Sequence, residues 1–294
     1  REGVDFILAV GGGSAIDSAK AIGYVEKQVL KRDRMIYFIA IPTTSGTGSE
    51  VTSFAVITDH EQDVKHTIIT EEILPREAIL DVEFVKTVPP QTTADTGMDV
   101  LTHAVESYVS PMSGTYAEAL AEKAVRLVFS DLLTAYHCPD DTRARAHMHA
   151  ASNLAGFAFD YTSLGINHGI AHAIGGVFHI PHGRCNAVLL PHVIAYNAKN
   201  SQFAFDRYTA LSRMLELGAA SEYQTLKNFC NAIHALMLKM NMPTTLRDCG
   251  VSESEFRQHL PSIIENALAD RCTATNPVEM SADGVREILT RAFG

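Results

Sequence analysis

The chain has 294 residues, 46% hydrophobic and 20% charged, with a formal net charge of −10 at pH 7. That length supports a well-buried core and more than one domain. The negative balance argues against nucleic acid and anionic membrane surfaces as partners, and no apolar run approaches the roughly 20 residues that cross a bilayer.

In chain order, residues 6–10 form a short apolar run stopped by Gly11-Gly12-Gly13, which predicts a buried strand. The chain enters this strand almost at once after Arg1, as if in mid-domain, which predicts further residues before Arg1. Residues 14–24 predict a helix, with Ser14 as cap and Asp17 three positions on in a capping-box arrangement. Residues 35–41 predict a second buried strand, stopped by Pro42. Residues 54–58 and 65–70 predict a hairpin around the polar stretch 59–63, and residues 79–81 one more short strand.

After Pro89-Pro90 the texture changes to Ala, Leu, His and Met at helical spacing. Helices are expected over 92–109, 116–135, 142–159, 165–178, 184–196, 203–217, 222–240, 253–269 and 282–292, with breaks at Pro111, Pro139, Pro181, Pro243 and Pro277. The expected fold class is thus an α/β domain over 1–90 followed by an all-helical domain over 91–294. The five cysteines are scattered and never form C-x-x-C. They therefore give neither a disulfide framework nor a zinc finger, and the implied setting is a reducing cytoplasm, with no signal-peptide pattern at the start.

Two loops after successive strands have the makings of a phosphate cradle. Gly11-Gly12-Gly13-Ser14 lies between a strand and a helix start, where glycine lets the backbone approach an anion and the first helical N–H groups point at it. It is not G-x-G-x-x-G, so the standard dinucleotide fingerprint is absent. Pro42-Thr43-Thr44-Ser45-Gly46-Thr47-Gly48-Ser49-Glu50 gathers hydroxyls and glycines in one loop, which suits phosphates, ribose and an amide. Either loop alone reads equally well as a tight or polar turn. Together, at the carboxyl ends of adjacent strands, they mark the place where open α/β sheets bind ligands.

The second signal is histidine. Asp99 and His103 are four residues apart on one predicted helix, His168 and His172 on another, and His182 follows in a Pro-His-Gly turn. Residues at i and i+4 share a helix face. One carboxylate oxygen and three imidazole nitrogens suit Fe(II), Zn(II) or a similar divalent ion. A lone histidine is more often a satisfied core residue, and an Asp-x-x-x-His pair is often a plain salt bridge. Here His168, His172, His179, His182 and His192 crowd a stretch otherwise rich in Gly, Ala and Ile, which has little packing use for imidazoles. If Asp99, His103, His168 and His182 fill the coordination sphere, His172 lies one turn beyond, free to move protons. His179 and His192 read as supporting or structural.

These segments, with Asp17 and Lys20 after the glycine turn, Gly97-Met98-Asp99-Val100-Leu101-Thr102-His103-Ala104-Val105-Glu106, Asn167-His168-Gly169-Ile170-Ala171-His172 and Pro181-His182-Gly183, resemble the iron-containing (group III) alcohol dehydrogenases. Within that family the likeness is closest to the propanol dehydrogenases of propanediol-degrading microcompartments. The resemblance implies a dehydroquinate synthase-like architecture with the active site in a cleft between the two domains. It implies metal ligands at Asp99, His103, His168 and His182, with His172 beside the substrate. Gly12, Gly13, Ser14 and Asp17 would serve the pyrophosphate turn, Thr43, Thr44, Thr47 and Ser49 the loop over the nucleotide, and Lys65 would lie near the cofactor. The cofactors expected are a divalent metal, Fe(II) ahead of Zn(II), and NAD(H) ahead of NADP(H). The partners expected are a short alcohol or aldehyde and further copies of the chain, in a homodimer or larger, within the cytoplasm or a bacterial microcompartment. A polyol dehydrogenase or dehydroquinate synthase-like lyase on the same fold, and a truncated non-catalytic subunit, are the alternatives. The sequence departs from the family at Asp81-Val82-Glu83, where Asp-Pro-Glu is usual, and at Arg184-Cys185, where small apolar residues are commoner.

Overall fold

A computed structural model describes residues 5–30, 36–59 and 64–294, the side chains of 29, 30, 58, 59 and 64–66 excepted. Strand β1 (Phe6–Gly11) leads through helix α1 (Gly13–Leu30) into strand β2 (Tyr37–Pro42), which pairs with β1 in parallel, Phe6 opposite Tyr37 and Gly11 opposite Pro42. The apolar runs form buried strands on one face because α1 seals them: Ile16, Ala9, Phe38 and Ala40 make a small core of their own. The other face of β1 carries Phe6, Leu8 and Val10, 57%, 50% and 48% exposed.

The expected hairpin forms as β3 (Phe54–Asp59) and β4 (Val64–Ile69), antiparallel and separate from the first sheet. A two-residue strand, β5 (Glu77–Ala78), pairs in parallel with β2, giving the order β1-β2-β5 and leaving β1 at an edge. This strand was expected at 79–81. The Arg76 and Ile79 N–H groups already reach Phe38 O (2.8 Å) and Ala40 O (2.9 Å). Asp81 then accepts from Glu83 N and turns the chain into a short 3-10 segment, which ends the pairing. Residue 35, expected in β2, lies outside the described residues.

From residue 90 onward the described elements are helical: α2 (Pro90–Val109), α3 (Thr115–His137), α4 (Thr142–Thr162), α5 (Ile166–Phe178), α6 (His182–Asn200), α7 (Gln202–Met214), α8 (Glu222–Lys239), α9 (Glu253–Ala269) and α10 (Ala282–Phe293). Their starts are written locally. Pro90 occupies the first turn of α2, where its missing N–H costs nothing. Asp141, Ser201, Ser221 and Ser281 cap their helices, and Ser252 with Glu255 closes a capping box. His179 caps the end of α5 in a left-handed conformation, a structural role of the kind expected for it.

Helix α2 is the axis. Every residue from 97 to 109 is buried, and α3, α4 and α6 pack around it. A helix covered on all sides has no solvated face for charge, so its Asp99, His103 and Glu106 must find partners inside the protein.

Candidate active site

The two predicted ligand loops touch. Thr43 N–H donates to Gly11 O at 2.9 Å. A Cβ added at Gly12 would lie 3.2 Å from Thr44 Oγ1, and one at Gly13 2.7 Å from Thr47 Cγ2. Ser14 and Thr47 are exposed and Gly12, Gly13, Thr43 and Thr44 half-buried, so these six form an accessible rim at the start of α1. Helix α1 begins at Gly13, one residue before its expected start. Asp17 turns away from a capping box: its Oδ1 accepts from Ser49 Oγ at 2.5 Å and its Oδ2 from Val56 N at 3.0 Å. Behind Ser49 lies Lys20, only 1% exposed, whose Nζ donates to Ser49 Oγ, Thr52 O and Phe54 O. Burial pushes its amine down to about 8, against the pull of Asp17, Asp160 and Glu50. Asp17 and Ser49 therefore sit behind the rim as its brace. Lys65 pairs with Thr58 in the hairpin backbone, and its side chain lies outside the described residues.

The second loop rests on the helices. Gly48 has φ 61°, and a Cβ there would lie 2.7 Å from Gly156 Cα, so only glycine fits. Ser45 Oγ meets His149 Nδ1 at 3.0 Å, and Asn153 donates to Glu50. Gly46 abuts Thr96, one turn before Asp99. The rim and the histidine cluster are thus joined through this loop and α2.

In that cluster, ligand atoms of Asp99, His168 and His182 all lie within 4.8 Å of one another. Asp99 Oδ1 is 3.7 Å from His168 Nε2 and 3.6 Å from His182 Nε2. The close approach of α6 depends on Gly183, where a Cβ would meet Asp95 O at 2.0 Å. Burial would raise the Asp99 carboxyl, but the surrounding imidazoles of His103, His182 and His168 hold it well below the usual carboxylate range. His103 stands outside the tight trio. It stacks on His168 with centroids 4.7 Å apart, and its buried Nδ1 has no hydrogen-bond partner. Burial, outweighing Asp99, pushes its imidazole down to about 4.

Each remaining ring has an orienting partner that the sequence reading did not assign. Glu106 takes His168 Nδ1 at 2.5 Å, and burial, which disfavours the imidazolium, is overcome by Glu106 and Asp99, which hold it up at about 9. Asp270, after α9, takes His172 Nδ1 at 2.8 Å and also accepts from Cys272 N. Burial opposes the Asp270 anion, yet these bonds bring it down to about 2. The His172 ring stacks on His182, with centroids 5.1 Å apart. Asn186, one turn after His182, points its amide into the trio, and Asn167 holds that amide in turn. Glu106 was visible in principle, since 99, 103 and 106 share a face of α2, and so was Asn186 at i+4 from His182. Asp270 carries no local signal.

One carboxylate and several imidazoles converging in a buried pocket, with a neighbouring imidazole nitrogen left without a partner, is a donor set that fits a divalent cation such as Fe(II) or Zn(II). His172, Asp270 and Cys272 also lie close together, and burial raises the Cys272 thiol well above its ordinary pKa.

Comparison with known proteins shows the family. The iron-containing alcohol dehydrogenase profile matches residues 1–82, and the profile for the C-terminal part of the Fe-containing alcohol dehydrogenase family matches 93–293. The 1-propanol dehydrogenase PduQ of Salmonella typhimurium is 43% identical, covering 96% of this chain and 76% of its own. The NADPH-dependent butanol dehydrogenase of Clostridium saccharobutylicum is 39% identical, covering 97% and 76%. The crystal structure of a 1,3-propanediol oxidoreductase superposes with a TM-score of 0.91 at 35% identity, covering 100% of this chain and 78% of that one. The chain belongs to the iron-containing alcohol dehydrogenase family and is an alcohol/aldehyde oxidoreductase of that kind.

Proposed function

We propose that the chain interconverts a short aliphatic alcohol and its aldehyde, with propanol and propanal as the pair, using NAD(H) and a divalent metal, Fe(II) ahead of Zn(II). The observation that carries this reading is the convergence of Asp99, His168 and His182 beside an oriented His172, joined through one loop to the Gly/Thr rim. Similarity to PduQ supports the substrate class. The likeness to microcompartment-type enzymes extends the proposal to a homodimer or larger assembly and to residence in the cytoplasm or a microcompartment. Among the described residues no helix is long and apolar enough to cross a membrane.

When bound, the cation supplies Lewis-acid polarisation of the substrate oxygen and the nicotinamide gives or accepts the hydride. The residues proposed to hold the cation are Asp99, His103, His168 and His182. Gly12, Gly13 and Ser14 offer the first N–H groups of α1 to the pyrophosphate, and Thr43, Thr44 and Thr47 offer hydroxyls from the facing loop. Asp17 and Ser49 fix that loop from behind. With Asp270 accepting its Nδ1–H, His172 keeps Nε2 available to pass a proton between substrate and solvent. The boundary we propose between nucleotide and metal domains is residue 90.

Metal analysis of protein purified without chelators, paired with propanal-dependent NADH oxidation on the same sample, tests this. The expected result is about one iron or zinc per chain together with turnover. Bound metal with turnover only on a polyol would favour the glycerol dehydrogenase-like alternative. Neither metal nor turnover, after anaerobic Fe(II) addition, would favour the non-catalytic subunit.

A further inference from the structure

Asn186 is fully buried on α6, one turn after His182. Its Nδ2 stands 2.7 Å from Asp99 Oδ1 and 3.1 Å from the Nε2 atoms of both His182 and His168. The neighbouring Asn167 settles which end of the amide points there. Asn167 Nδ2 lies 3.2 Å from the backbone carbonyl of Asn186, which can only accept, so this end of Asn167 is the donor. The same NH2 reaches Asn186 Oδ1 at 2.8 Å. Oδ1 of Asn186 is therefore the acceptor, and its NH2 is the group aimed into the ligand set. Asn167 is itself anchored, its N–H donating to Glu106 Oε1 at 2.7 Å while the other Glu106 oxygen takes His168.

A side-chain amide has two N–H donors. Here they serve Asp99 Oδ1 and the His182 lone pair, with His168 Nε2 completing the ring of atoms around Nδ2. These residues come from three helices, α2, α5 and α6. Without the amide or a cation among them, Asp99 Oδ1 and the His182 lone pair would each lose their nearest donor. We infer that Asn186 is a positioning residue that stands in for the cation: its amide holds Asp99, His182 and His168 in register before metal enters, and gives up the His182 lone pair when it does. The inference rests on the metal-centre reading proposed above.

The consequence is an asymmetry opposite to that of an ordinary supporting residue. If the amide and the cation compete for one lone pair, removing the amide harms the metal-free protein more than the loaded one, and by linkage the cation binds more tightly. A residue that supports the bound metal does the reverse: its loss weakens binding, typically about 10- to 100-fold.

The test uses wild type, Asn186→Leu and Asn186→Asp, each melted metal-free and Zn(II)-loaded, with Zn(II) affinity measured by chelator competition. The expected stabilisation by Zn(II) increases from wild type to Asn186→Leu to Asn186→Asp, which swaps donor for acceptor at constant shape. The Zn(II) dissociation constant should tighten about tenfold in Asn186→Leu, the equivalent of one hydrogen bond. Folding of either variant only with Zn(II) is the extreme of the same result. Weaker Zn(II) binding in Asn186→Leu, equal melting losses in both forms, or failure to fold in both forms overturns the inference while the metal-centre reading stands. A wild-type chain that takes up neither Zn(II) nor Fe(II) overturns that reading, and this inference with it.

Discussion

Glu106 and His168, 62 residues apart in sequence, meet at 2.5 Å with both side chains less than 5% exposed. The carboxylate fixes which imidazole nitrogen faces Asp99 and makes that nitrogen more basic, a stronger metal ligand. Its other oxygen accepts the Asn167 N–H. Glu106→Gln offers only one acceptor to these two donors. It should weaken metal affinity about 10- to 100-fold, read by chelator competition; unchanged affinity would detach Glu106 from the metal centre.

His168 and His172 are four residues apart, yet their variants should behave differently. His168→Ala is expected to lose metal and activity together. His172→Ala is expected to retain metal and lose about 100-fold or more in kcat. Asp270→Ala, which frees the His172 ring to rotate, should lower kcat with little change in KM or metal content. Metal analysis beside steady-state kinetics checks all three, and an active, metal-replete His168→Ala protein would refute the ligand assignment.

Gly183 lets the first turn of α6 lie against α2. In Gly183→Ala the new methyl would meet Asp95 O at 2.0 Å and Asp99 Cβ at 3.2 Å. Backbone must move, and His182 moves with it. The expected outcome is a loss of about 1–3 kcal/mol and poor metal retention, seen in melting curves and metal analysis. A variant with normal stability and full metal content would show that this contact relaxes freely.

Lys20 gives a pH signature. Its folded-state pKa is about 8, below its ordinary 10.5. Between these values the unfolded chain holds the proton more than the folded one, so this group's contribution to stability rises with pH through that window. Lys20→Met removes the rise and leaves Thr52 O and Phe54 O without this donor, costing about 1–3 kcal/mol near neutral pH. The stability gap between wild type and Lys20→Met should widen from about pH 7.5 to about pH 9.5. Denaturant titrations at the two pH values measure it, and a constant gap would mean Lys20 is not desolvated as its surroundings imply.

What was legible in the sequence was what repeats locally. Asp99 with His103, and His168 with His172, announce themselves through helix periodicity, and the glycine turn after β1 through the abrupt end of an apolar run. Helix starts were legible within a few residues because Asp141, Ser201, Ser221, Ser252 and Ser281 cap them. What was hidden depends on tertiary approach. Asp270 reaches His172 across 98 residues, after α9 has folded back on α5. Asp17 reads as a helix cap from its spacing, but tertiary contact with Ser49 and Val56 outcompetes that local use. The short β5 was displaced because pairing with β2, not propensity, decides where a two-residue strand forms.

The outer face of β1 carries a consequence for how the sheet can be extended. Phe6, Leu8 and Val10 present an apolar row on a strand whose outer edge has no neighbour in the described sheet. Such an edge is a template on which another strand can grow. A further strand can pair along that edge of β1, with Phe6, Leu8 and Val10 as one end of the apolar surface it would extend.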